Sequence, residues 1–177
     1  MPEPRHGPQG RPGRYGAWLA ALVLVALNLR PVVTSVPPLA LELAHQLRLS
    51  AVATGALTTV PVACMGLFAP VAAWASRVRG ESTVLGAGLV FIAAGAALRG
   101  FGGATGLFGA TALAGIGIAV TGTLLPGQVR MRAPGRVGAV TGLYTFALIG
   151  GALLGSAAAA PVASWLGVPA QAALAVW

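Results

Sequence analysis

Arg30 is the residue of this chain best placed to do chemistry. It stands in Leu27-Asn-Leu-Arg-Pro31, as the one charge between Tyr15 and Glu42. A guanidinium is always protonated and presents five N–H donors in a planar fork, which suits carboxylate-like anions. Other reactive groups are scarce: 11 arginines, no Lys, three acids (Glu3, Glu42, Glu81), no Asp, two His and one Cys in 177 residues. His6 and His45 fall in different segments, and Cys64 has no base in its own span. Acid–base, nucleophilic and metal-ligand constellations are therefore missing, and no catalytic residue, metal site or cofactor is expected. A phosphate-cradling loop ending in Lys-Ser or Lys-Thr cannot form without Lys, which excludes ATP-driven pumping by this chain.

The elements that must hold Arg30 follow from composition. Apolar residues make up 56% of the chain and charged ones 8%, with a mean hydropathy of +0.84. A soluble domain carries about 25% charged residues, so too few are present to clothe a water-soluble globule. The net charge of +8 comes from arginines set singly or in small groups, not from a basic face, and nucleic acid is not an expected partner. The chain reads as an all-α, polytopic bundle whose partner is the lipid bilayer.

A spanning helix needs about 20 largely apolar residues. Turn signals divide the chain into a disordered tail over 1–16 and a bundle over 17–177, with helices at about 17–37, 51–74, 83–101, 104–126 and 138–161. Gly167-Val168-Pro169 then breaks the last run, and 170–177 reads as the start of a sixth helix. No small-x-small cleavage site follows the first apolar segment, so it is read as a retained helix. Arginine asymmetry orients the bundle. Residues 5, 11, 14, 77, 79, 130, 132 and 136 fall on one side and only Arg48 and Arg99 on the other, which puts the N-terminus in the cytoplasm.

Helix starts at 17, 51 and 83 recur 87 residues later at 104, 138 and 170. At that offset Thr54-Gly55-Ala56-Leu57-Thr58 meets Thr141-Gly142-Leu143-Tyr144-Thr145. A three-helix shift reverses direction, so these are either inverted repeats of the kind that build secondary transporters or a chance match of common residues.

At 1.5 Å per residue from position 17, Arg30 lies about 20 Å into a core roughly 30 Å thick. It either faces a water-lined cavity, as the proline break beside it favours, or snorkels to the outer surface. Thr34 is one turn away on its face, while Asn28 is about 200° round the helix and suits a structural contact to a neighbouring helix. Depth puts Thr58, Thr59 and Thr111 level with Arg30, as solute ligands or as packing residues. The glycine pairs 138/142 and 151/155, with Gly109, Gly115, Gly117 and Gly122, permit close helix approach.

Four segments carry a resemblance. Leu27-Asn-Leu-Arg-Pro-Val-Val-Thr-Ser-Val36, the run from Leu49 to Pro70, Ala112–Val120 with Leu124-Leu-Pro126, and Arg136-Val-Gly-Ala-Val-Thr-Gly-Leu-Tyr-Thr145 together resemble the cyanate and 2-nitroimidazole transporter family of the major facilitator superfamily. The resemblance runs from about residue 17 to the end. It implies two six-helix halves moving small solutes by alternating access, with Arg30 facing the central pathway, in a bacterial plasma membrane. Two departures stand out. No acid precedes the basic pair Arg77 and Arg79, and Thr121-Gly122-Thr123 stands where relatives often carry Asn before Leu-Leu-Pro. The expected function is secondary active transport of a small polar or anionic, cyanate-like solute, by a chain that reads as a truncated N-terminal portion. A missing C-terminal half or a second copy would then be a partner. The alternative is a truncated membrane protein that only packs with other helices.

Overall fold

The computed structural model describes residues 12–177; residues 1–11, most of the expected tail, lie outside the described residues. Helix α1 (Pro12–Leu29) begins five residues earlier than the expected span. Pro31 cannot donate to the carbonyl of Leu27, and Pro37-Pro38 withhold two further N–H groups, so the first span is broken. It continues as α2 (Pro31–Thr34) and α3 (Val36–Leu47), each with proline in its first turn, where the missing N–H is harmless. The whole element, Tyr15–Leu47, is long and apolar enough to cross a membrane. It runs ten residues past the expected end at 37 and carries Glu42, expected in a loop, on an exposed face of α3.

Four more helices are long and apolar enough to cross: α4 (Ala51–Arg79), α5 (Glu81–Leu98), α6 (Gly103–Arg132) and α7 (Val137–Leu166). A short α8 (Ala170–Ala173) and a 3-10 turn (Leu174–Val176) follow. No strand occurs among the described residues, and the chain is an all-α membrane helix bundle. Helices α4 and α6 run five and six residues past their expected ends, with Arg77, Arg79, Arg130 and Arg132 in their last turns, and α7 runs five past its own, whereas α5 stops three residues short.

Helix α6 is the most buried, with α5 and α4 against it, while α1, α2 and α3 pack on α7. Small residues set these approaches. A Cβ at Gly95 would lie 2.6 Å from the Ala114 nitrogen, and one at Gly117 would lie 2.5 Å from the Gly88 carbonyl oxygen, so α5 and α6 meet backbone to backbone. Gly115 of α6 abuts Pro61 and Cys64 of α4. Gly151 of α7 abuts the Leu27 carbonyl that Pro31 leaves free. Positions 64 and 151 are 87 residues apart, and the two packed pairs, α4 with α6 and α7 with α1–α3, exchange under the same shift. By contrast, Gly138, Gly142, Gly109 and Gly122 face open space.

The turn from α5 to α6 is tight. Gly102 and Gly103 take φ of +81° and +60°, a region that favours glycine. Arg132 at the end of α6 lies 5.8 Å over the Trp18 ring at the start of α1, so the arginine-rich helix ends share one end of the bundle. Gln46, Arg99 and Gln171 meet at the other.

Candidate functional site

Arg30 occupies the joint between α1 and α2. Its carbonyl oxygen accepts from Val33 N and Thr34 N, both at 3.0 Å, and from the Thr34 hydroxyl at 3.1 Å. Its backbone is thus committed to starting α2, while its side chain is exposed in a cavity of about 330 Å³. The walls come from four spans: Leu29 and Arg30, Met65 and Ala69 of α4, Gly122 and Thr123 of α6, and Tyr144 and Leu148 of α7, with Ile118 and Ala119 behind. None of the ten is acidic. One cation, two hydroxyl groups and an apolar remainder make a place for a small anion or a polar solute, near the lower end of usual ligand-cavity sizes. Gly122 keeps the floor open, since a Cβ there would meet nothing within 4 Å.

The threonines expected beside Arg30 are distributed elsewhere. Thr34 turns its hydroxyl to the Arg30 carbonyl and sits against Gly155, 2.7 Å from where a Cβ there would be. Thr58 shares a face of α4 with Met65, but seven residues put it about 10 Å further along the helix. It lines a separate hollow of about 660 Å³ with Thr54, His45 and apolar residues of α3, and donates to the Gly55 carbonyl at 2.8 Å. Thr59 is exposed, its hydroxyl shared between the Gly55 and Ala56 carbonyls at 3.3 and 3.2 Å. Thr111 is completely buried, and its hydroxyl has no hydrogen-bond partner. Asn28 is exposed in an apolar groove between α1 and α5, with Leu24, Ile92 and Ala93.

Thr123, Tyr144 and Arg99 were not singled out from the sequence. Thr123 belongs to the Thr-Gly-Thr stretch that departs from the family pattern, a signal that polar groups matter there. It lines the cavity, and its hydroxyl donates to the Ala119 carbonyl at 2.7 Å, which leaves it only lone pairs to offer a solute. Tyr144 and Arg99 gave no such signal. Arg99 looked like an outer-loop charge, but it is 0% exposed just past the end of α5, and its Nη1 donates to the Val32 carbonyl. Burial pushes its guanidinium down to about 10, so it remains cationic at neutral pH.

Comparison with known proteins agrees with this architecture. The chain is 37% identical to the 2-nitroimidazole transporter of Escherichia coli (strain K12) over 145 residues, 82% of this chain. It is 32% identical to the Bacillus subtilis (strain 168) transporter YycB over 161 residues, and 32% identical to the E. coli cyanate transport protein CynX over 170, 90% of this chain in both cases. The chain belongs to this transporter family. It is a multi-pass membrane protein, and its relatives are transporters rather than enzymes. It spans 37% to 44% of the length of these relatives. No family model matches it, and no solved structure matches it significantly.

Proposed function

We propose that this chain forms part of a secondary active transporter for a small polar or anionic solute of cyanate-like size, with Arg30 as the solute-binding cation. The observation that carries this reading is the Arg30 cavity: a guanidinium, two hydroxyl groups and no carboxylate, on walls drawn from four membrane-crossing helices. Tyr144 supplies a hydroxyl donor from the opposite wall, while Thr123, whose proton is spent on the Ala119 carbonyl, can only accept from a polar solute. Thr34, Thr58, Thr59 and Thr111 remain outside this cavity. The arginine-rich end, with Trp18 and Arg132, faces the cytoplasm of a bacterial plasma membrane, which puts the N-terminus inside.

Binding of radiolabelled cyanate to the chain in lipid nanodiscs tests the assignment. Wild type should bind saturably, and Arg30→Gln, which lacks the charge, should not bind. Undiminished binding by Arg30→Gln would sink the role of Arg30.

A further inference from the structure

The segment that presents Arg30 is held from behind. Residues two apart on a helix point about 200° apart, so Val32 lies on the opposite side of the break from Arg30. There the Val32 carbonyl accepts from Arg99 Nη1. Arg99 is itself fixed, because its own carbonyl accepts from Gln171 Nε2 at 3.0 Å, and the same amide reaches the Gly103 carbonyl at 3.2 Å. The Gln171 backbone N–H in turn donates to Gln46 Oε1 at 3.3 Å. A chain of bonds therefore runs from α3 and α8, through the α5–α6 turn, to the broken helix beside the cavity.

This arrangement is a poor way to gain stability. Arg99 is fully buried, and its Nε and Nη2 have no partner. A buried charge with most donors unpaired costs folding free energy that an apolar side chain of similar length would not. The bond to Val32 is what the guanidinium supplies and an apolar residue cannot. Pro31 removes one backbone donor at the break, and the glycines of α7 pack against Leu27, Pro31 and Thr34 but not against the Val32 carbonyl, which Arg99 holds. We infer that Arg99 is a positioning residue, which clamps the Val32 carbonyl and so sets the direction in which Arg30 enters the cavity. The value of that direction for solute binding rests on the proposed role of Arg30; the clamp itself does not.

The test uses the full chain in nanodiscs, in a Cys64→Ala background, with Arg30→Cys or Thr123→Cys as the reporter. The rate of reaction with an uncharged methanethiosulfonate reagent reads each reporter's placement without responding to the charge removed at position 99. Arg99→Met should change the rate at position 30 and leave the rate at 123, on the unclamped α6, as it was. Arg99→Lys, which retains a donor, should restore the rate at 30. Arg99→Met should also resist detergent unfolding at least as well as Arg99, an outcome opposite to that of a structural strut. An unchanged rate at 30, or equal changes at both reporters, overturns the clamp. If Arg99→Met does not fold, Gln171→Ala releases the Arg99 carbonyl and should shift the rate at 30 in the same direction; no shift again overturns it. Cyanate binding by the unsubstituted chain is measured in parallel. Failure there removes the proposed role of Arg30 and leaves the labelling result standing.

Discussion

Replacing Gly155 by Ala should loosen the bundle where replacing Gly142 does not, although both lie in α7 and both belong to a Gly-x-x-x-Gly pair. A Cβ at 155 would sit 2.6 Å from Pro31 Cα, 2.7 Å from Thr34 Oγ1 and 3.0 Å from Pro31 Cβ. Carbon atoms rest at about 3.5–4.0 Å, so α7 and α2 must separate by nearly 1 Å or distort. Overpacking of this kind costs about 1–3 kcal/mol. The helix propensity of Ala over Gly returns up to about 1 kcal/mol. The net loss is then up to about 2 kcal/mol, a factor of up to about 30 in the folded-to-unfolded ratio. A Cβ at 142 would meet nothing within 4 Å, so Gly142→Ala keeps only the propensity gain. Reversible unfolding in mixed micelles of rising sodium dodecyl sulfate, followed by tryptophan fluorescence, measures both. Gly155→Ala should unfold at lower denaturant than wild type and Gly142→Ala at the same or higher. Equal midpoints for the two variants would refute the backbone contact between α7 and the broken helix.

Two further outcomes follow from the cavity and from the charge distribution. Gly122→Val should abolish cyanate binding by filling the cavity floor beside Arg30, while thermal stability stays within about 1 kcal/mol because no packed atom is displaced; retained binding would place the solute elsewhere. With the N-terminus inside, an impermeant thiol reagent added outside cells should label Ser164→Cys and not Ser76→Cys in a Cys64→Ala background; the reverse pattern would invert the topology.

Composition and the spacing of charges determined the class of this protein before any coordinates. A chain with 8% charged residues has no means of covering a soluble surface, and runs of about 20 apolar residues between arginine clusters leave helices as the only way to satisfy the backbone in lipid. Five spans and the break at Pro31 were legible for the same reason: each depends on local chemistry, on an apolar run or a missing N–H. Span ends were less legible, because Pro37-Pro38 reads equally as the end of one helix and the first turn of the next, and the chain uses it as the latter.

Only the tertiary structure decided which residues share the Arg30 cavity. Depth along a helix is readable from sequence, but the angle a helix presents depends on the neighbours it packs against, so Thr58, Thr59 and Thr111 had the right depth and stand apart while Thr123 and Tyr144 line the walls. The glycine pairs show the same thing: 138/142 and 151/155 have identical spacing, yet only the second meets a partner backbone, that of Leu27 and Pro31. Arg99 is the clearest case. By sequence it is a charge at the end of a span, indistinguishable from Arg48; its burial and its bond to Val32 come from a carbonyl 67 residues earlier in the chain, freed for it by a bend in another helix.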